Sequence, residues 1–110
     1  MKTLTKSLFL IALLSASIIA CPYTGILHGR VTEPSGRGID RARITLWSND
    51  GSNAFVSSNA FGYYEFAPVV ACGNNYTLTV SSKRYSFAVP QVAFVFASGV
   101  TAMEVDFVSQ

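Results

Sequence analysis

The sequence is poor in the residue types from which most catalytic and metal sites are built. It contains one histidine and two cysteines in 110 residues, and charged residues make up only 13% of it. A single imidazole excludes any site that needs two or three histidines. The length supports one domain at most.

The charge balance gives no sign of a polyanionic partner. The whole chain has 8 Lys and Arg residues against 6 Asp and Glu residues, but Lys2 and Lys6 stand ahead of an apolar run. Without that N-terminal segment, six basic and six acidic residues remain, so the net charge is close to zero. The sequence therefore predicts no nucleic-acid partner and no charge-based affinity for an anionic membrane.

Long apolar runs are also missing, apart from one near the N-terminus. Residues 8–20 form a run of 13 that already includes Ser15 and Ser17, whereas a membrane span needs about 20 apolar residues. Lysines before the run and small residues at its end are the parts of a secretory signal. We therefore expect residues 1–20 to be a cleaved helical signal peptide and residues 21–110 to be the mature domain. The protein would be exported, to the periplasm or outside the cell.

Cleavage after Ala20 would place Cys21 at the mature N-terminus, and two interpretations follow. The segment Ile18-Ile19-Ala20-Cys21 resembles a bacterial lipoprotein signal, in which the cysteine is lipidated and anchors the protein to a membrane. Alternatively, Cys21 forms a disulfide with Cys72, the only other cysteine, as an even cysteine count in an exported chain suggests. That bridge would stabilise the domain by roughly 3–4 kcal/mol. We favour the disulfide and expect a membrane location only if Cys21 is lipidated.

After Cys21, apolar and polar residues alternate with period two, and turn residues interrupt the pattern. The alternation predicts about seven short strands, near residues 27–31, 42–48, 54–58, 63–66, 76–82, 92–97 and 101–108. Strands at this spacing predict an all-β fold, an antiparallel Greek-key β-sandwich in which each of two sheets hides one face. Residues 92–97 are apolar throughout, and we expect a central strand there rather than an unprotected edge.

Several segments, in their order along the chain, resemble a known family. They are His28-Gly29-Arg30-Val31-Thr32, the turn at 34–39, Ala42-Arg43-Ile44-Thr45-Leu46, Phe61-Gly62-Tyr63-Tyr64-Glu65-Phe66 and Tyr76-Thr77-Leu78-Thr79-Val80. Together they resemble the carboxypeptidase regulatory-like domain, a prealbumin-like (transthyretin-like) β-sandwich common in exported bacterial proteins. The resemblance implies a non-catalytic accessory module. We expect Gly29 to face inward where strands approach closely, and Gly62 to occupy a turn position with positive φ.

No catalytic pattern accompanies this resemblance. Zinc peptidase chemistry needs several His or Glu ligands and a general base, and His28 is the only imidazole. The prealbumin-like enzyme that hydrolyses 5-hydroxyisourate uses several His and Arg residues and a Tyr-Arg-Gly-Ser ending, whereas this chain ends Phe-Val-Ser-Gln. We expect His28 to be an exposed strand residue, and Glu104 and Asp106 to be solvated charges that protect a strand edge. The sequence predicts no enzyme, no cofactor and no metal ion, and Asp50-Gly51 is interpreted as a hairpin turn rather than a calcium loop.

Trp47 carries the one specific binding hypothesis. Alternation places it on the outer face of its strand with Arg43 and Thr45, where an indole can stack on a sugar ring. The other interpretation is that Trp47 covers a loop or an exposed edge. We expect a binding or structural function at the cell envelope or outside the cell, with an unknown protein or glycan partner that contacts the loops at 33–38, 49–53 and 72–75. Carbohydrate binding through Trp47 is the alternative.

Overall fold

The computed structural model describes residues 21–110, which form two β-sheets packed face to face. The predicted signal peptide, its helix and its cleavage site lie outside the described residues. The eight strands are β1 (Thr24–Thr32), β2 (Arg43–Ser48), β3 (Asn53–Ser57), β4 (Tyr63–Val70), β5 (Asn74–Ser81), β6 (Gln91–Phe96), β7 (Ala102–Glu104) and β8 (Phe107–Val108). Within residues 21–110, no helix is long and apolar enough to cross a membrane.

The strands divide into a β1 sheet and a β2 sheet. The β1 sheet has the order β4-β1-β7, with β8 also paired to β1, and the β2 sheet has the order β3-β2-β5-β6. The predicted β-sandwich is therefore confirmed, with one difference in strand direction. Strands β7 and β8 run parallel to β1, whereas the other strand pairs are antiparallel. The predicted last strand is also split in two, because residues 105 and 106 leave the ladder.

The core lies between the sheets and follows the predicted alternation. Leu27 and Val31 of β1, Ile44 of β2 and Leu78 of β5 are fully or almost fully buried, while their neighbours along each strand are more exposed. Gly29 also faces inward, and a side chain there would collide with the backbone carbonyl oxygen of Val105. The expectation of a close strand approach at this glycine is confirmed.

Strand β6 forms one edge of the β2 sheet, so the prediction of a central strand at residues 92–97 is wrong. Val92, Phe94 and Phe96 face inward, and only Phe96 is fully buried. The outward residues Ala93 and Val95 are also apolar, so the sequence pattern is that of a strand buried on both faces although these two residues are exposed. A central strand and an edge strand differ by one neighbouring strand. That neighbour is not encoded in the segment itself.

Candidate functional site

Cys21 and Cys72 are joined in a disulfide that ties the start of the domain to the β4–β5 connection. Their Cα atoms are 6.1 Å apart, within the range usual for a disulfide. This supports the disulfide interpretation of the two cysteines. The lipid-anchor interpretation of Cys21 stays a prediction.

His28 lies half-buried on β1, in register with Glu65 of β4 on one side and Glu104 of β7 on the other. In the part of the chain that the structure describes, no three His, Cys, Asp or Glu side chains are grouped so that they could hold a metal ion. Glu104 ends the edge strand β7, and Asp106 follows it in the connection to β8. Asp106 accepts a hydrogen bond of 2.8 Å from the backbone amide of Arg30, so it fixes the chain beside β1.

Asp50 organises the β2–β3 hairpin, which confirms the predicted turn. One of its carboxylate oxygens accepts hydrogen bonds from the hydroxyl groups of Ser48 and Ser52 and from the backbone amide of Ser52. These bonds favour the charged carboxylate and lower the pKa of Asp50 to about 2. Gly51 completes the turn with a φ of 91°.

Trp47 projects from the outer face of the β2 sheet and is 41% exposed. Its strand neighbours in register are Asn53 of β3 and Thr77 of β5. Two residues back along β2, Thr45 lies between Phe55 and Thr79, and Phe55 is 56% exposed. The predicted outward position of Trp47 is confirmed, and a second exposed aromatic ring accompanies it on the same face. Sequence analysis missed Phe55, although β-alternation in 54–58 could have identified it.

The three loops predicted to contact a partner do not lie together. Loops 49–53 and 72–75 are at the end of the sandwich where β2 finishes and β5 begins, beside the disulfide. We call this the disulfide end. Loop 33–38 is at the opposite end, next to the start of β2 and the end of β5. A single partner surface therefore cannot be built from all three loops.

The opposite end carries a feature that the sequence analysis did not identify. A surface depression of about 1180 Å³ opens there between the β1–β2 connection, the β3–β4 turn and the segment after β5. All six basic residues of the described chain line it: Arg30, Arg37, Arg41, Arg43, Lys83 and Arg84. Asp40 is the one carboxylate residue among the lining residues. We call this hollow the basic depression and this end the basic end.

Two of the guanidinium groups in the basic depression are held in place by aromatic rings. Arg43 lies over the ring of Phe55, 3.8 Å from the ring centroid, and Arg30 lies over Tyr63 at 5.1 Å. Arg30 also donates a hydrogen bond of 2.9 Å from Nε to the carbonyl oxygen of Phe61. Ring contacts of this kind fix a cation without neutralising it. The remaining N–H groups stay available for a ligand.

Arg41 occupies a backbone conformation that a non-glycine residue rarely adopts, with a φ of 60°. Ser58, which is only 4% exposed, holds this bend from inside. Its hydroxyl donates to the carbonyl oxygen of Ile39 at 2.6 Å and accepts from the amide of Ala42 at 2.9 Å. The bend turns the side chain of Arg41 outward, where it is 89% exposed.

A hydrogen bond connects the turn at 33–38 to the segment after β5. The hydroxyl of Tyr85 donates a hydrogen bond of 2.5 Å to the carboxylate of Glu33, and this bond raises the pKa of Tyr85. Glu33 also accepts a bond from the hydroxyl of Ser35. Glu33 is thus engaged beside the basic depression rather than lining it. The two segments that supply Arg37, Lys83 and Arg84 are therefore tied to each other.

Similar solved structures support the fold. The C-terminal fragment of the pilus adhesin SpaC from Lactobacillus rhamnosus GG superimposes with a TM-score of 0.62 at 15% identity, covering 80% of this chain and 45% of the fragment. The 5-hydroxyisourate hydrolase of Klebsiella pneumoniae gives a TM-score of 0.59 at 16% identity, covering 76% of this chain and 88% of the enzyme. The TIE protein of Bacillus anthracis gives 0.57 at 15% identity, with 78% and 17% covered. This chain therefore spans less than half of the adhesin fragment and most of the hydrolase.

Sequence comparison identifies the family. No curated protein matches the chain in sequence. The family model of the carboxypeptidase regulatory-like domain matches residues 26–108, which include all of the strands except the first two residues of β1. The chain belongs to the carboxypeptidase regulatory-like domain family.

Proposed function

We propose that this protein is a non-catalytic, exported binding module that presents a fixed surface to a partner at the cell envelope or outside the cell. The observation that carries the proposal is the uncovered outer face of the β2 sheet, on which Trp47 and Phe55 are exposed. Large aromatic side chains supply contact area at little entropic cost. The fold neighbour from a pilus adhesin is consistent with such a role.

The non-catalytic part of the proposal rests on the surroundings of His28. It stands on a strand face between two carboxylate residues in register, and the open hollow that it lines with Glu65 is separate from the basic depression and away from Trp47. The purified protein should not accelerate hydrolysis of 5-hydroxyisourate, the substrate in the name of the fold neighbour from Klebsiella pneumoniae. Turnover that disappears in His28→Ala would contradict this part of the proposal.

The second candidate function is carbohydrate binding through Trp47. The indole has Asn53 and Thr77 beside it, and polar groups next to an exposed ring suit a sugar that stacks on the ring and donates or accepts hydrogen bonds. Binding to a panel of polysaccharides is measured by affinity electrophoresis. Trp47→Ala should abolish the retardation while the melting temperature barely changes.

A matched control distinguishes binding at Trp47 from nonspecific binding by exposed aromatic side chains. Tyr23 is exposed at the disulfide end, away from the outer face of the β2 sheet. Tyr23→Ala should leave the retardation unchanged. Equal loss in both variants, or no retardation by any polysaccharide in the panel, would remove the carbohydrate hypothesis.

Export and anchoring are tested by the intact mass of the protein from its native host, before and after reduction and alkylation. A mass for residues 21–110 less two hydrogens, with two alkyl groups gained only after reduction, supports a cleaved and disulfide-bonded module. A mass that includes acyl chains on Cys21 would make it a membrane-anchored lipoprotein. Retention of residues 1–20 would overturn the proposed cleavage.

A further inference from the structure

We propose that the basic depression is a binding site for an acidic polysaccharide, whose carboxylate or sulfate groups it takes up while the chain continues over the outer face of the β2 sheet. The inference rests on the proposed binding function and specifies the ligand class. It starts from the position of the charges. The net charge of residues 21–110 is close to zero, yet every cation lines one hollow.

The cations in the basic depression outnumber the carboxylates that line it. Within residues 21–110 the single ion pair joins Arg41 to its neighbour Asp40, with 3.9 Å between the nitrogen and oxygen atoms. Of the other acidic residues, Glu33 is a carboxylate beside the hollow that accepts a hydrogen bond from Tyr85, Asp106 accepts one from the backbone amide of Arg30, and Asp50 lies at the disulfide end. Six positive charges therefore share one hollow with one lining carboxylate. An anionic ligand would relieve their mutual repulsion.

The chain sets up this arrangement at a conformational cost. Arg41 takes a left-handed backbone conformation that glycine would adopt more easily, and the buried hydroxyl of Ser58 holds the bend. The bend places a fully charged, exposed guanidinium group at the hollow. Strained backbone of this kind is concentrated at binding sites.

The size and shape of the hollow favour a chain-like ligand over a single small ion. A volume of about 1180 Å³ is larger than that of most small-molecule sites. Five of the six cations are arginines, whose planar forks suit carboxylate and sulfate groups. Many separated cations fit a polymer with a repeated anionic group.

The outer face of the β2 sheet points to a glycan rather than another polyanion. Arg43 belongs both to the basic depression and to the outward row of β2 that continues through Thr45 to Trp47. Trp47 is four positions beyond Arg43 along the strand, a distance of about 13 Å. A polysaccharide could place acidic groups on the arginines and stack a further sugar ring on Trp47.

The test compares polygalacturonate with a neutral galactan, using the purified protein and isothermal titration calorimetry at low and high salt. Polygalacturonate should bind, raise the melting temperature, and lose affinity as salt screens the charges. The galactan should bind much more weakly. Equal affinity for both polymers would overturn the proposal.

Two variants locate the site on the protein. Arg41→Gly and Lys83→Gln/Arg84→Gln should each weaken binding of polygalacturonate, by about fivefold for each charge removed. Arg41→Gly should leave the melting temperature unchanged or raise it, because glycine relieves the backbone strain. The double variant Asn49→Asp/Ser98→Asp is the matched control, since it changes the net charge by two at the disulfide end. Equal weakening in the control would show that only net charge matters, and would overturn the site.

Further binding measurements distinguish failure of this inference from failure of the proposed function. Tighter binding of poly-glutamate, a DNA oligonucleotide or phosphatidylglycerol vesicles than of polygalacturonate would overturn the glycan assignment. If Trp47→Ala abolishes polysaccharide binding while Arg41→Gly and Lys83→Gln/Arg84→Gln have no effect, the inference fails and the proposed binding function stands. If no polysaccharide binds, the inference fails, and the proposed function then depends on a protein partner.

Discussion

At the disulfide end a covalent bond between Cys21 and Cys72 holds the chain. At the basic end the buried hydroxyl of Ser58 holds a strained backbone bend at Arg41 by hydrogen bonds. Within residues 21–110 the disulfide end contains no basic residue, and the basic end contains all six. One end is thus cross-linked covalently, whereas the other carries the cations of the proposed binding site. Substitutions at each end should therefore have different effects on stability and on binding.

Removal of the disulfide should cause the largest loss of stability. Cys21→Ser/Cys72→Ser opens a loop between cysteines 51 residues apart and should lower the free energy of unfolding by about 3–4 kcal/mol, because the unfolded chain gains conformational entropy. Urea denaturation followed by tryptophan fluorescence measures it. Reduced wild-type protein is the control and should behave like the double variant. A loss below about 1 kcal/mol would contradict a stabilising role for the bridge.

Substitution of the buried serine at the basic end should have an intermediate effect. Ser58→Ala leaves the carbonyl oxygen of Ile39 and the amide of Ala42 without their partner, and should cost about 1–3 kcal/mol of unfolding free energy. Ser57→Ala, on the exposed neighbour, is the control and should change the value by less than about 0.5 kcal/mol. Affinity for polygalacturonate should also fall in Ser58→Ala, because Arg41 loses its support. Equal effects of the two substitutions would show that the bend at Arg41 does not depend on Ser58.

The smallest expected effect concerns the hairpin at the disulfide end and appears only in acid. The pKa of Asp50 is lowered from 3.8 to about 2 in the folded protein by the hydroxyl groups of Ser48 and Ser52 and by the amide of Ser52. Its charged form therefore adds stability above pH 4, and that contribution is lost as the pH falls from about 4 to 2. Urea unfolding midpoints are measured from pH 6 to pH 2. At pH 6 the midpoint of the wild type should be higher than that of Asp50→Asn, and the difference should disappear between about pH 4 and pH 2. A gap that is constant with pH would contradict the charge-dependent role.

The fold could be predicted from the sequence because β-alternation is a local signal. Each inward residue is identified by its neighbours two positions away, as Leu27 and Val31 illustrate, and both are fully buried. The edge position of β6 and the parallel pairing of β7 could not be predicted in this way. Both depend on which strand lies alongside, and that partner is distant in the chain.

The site was less accessible to sequence reasoning, for a similar reason. Trp47 was identified because its exposure follows from alternation within one strand. The basic depression was missed because its cations extend from Arg30 to Arg84 and are separated along the chain by acidic residues, so that the summed charge is near zero. Net charge is insensitive to position. Only the packing of residues 30–43 beside the segment after β5 brings the cations together.

The parallel pairing of β7 and β8 with β1 has a consequence for the order of folding. The hairpins β2–β3 and β5–β6 pair strands that are neighbours in the chain. By contrast, β1 at residues 24–32 pairs with β4 and with residues 102–108, which are far away in the sequence. Pairing over such sequence separations is slow, since the loops must close before the contacts stabilise them. The first strand of residues 21–110 is therefore among the last to be completed. One hydrogen-bonding edge of β1 therefore stays unpaired until almost the entire domain has emerged from the ribosome.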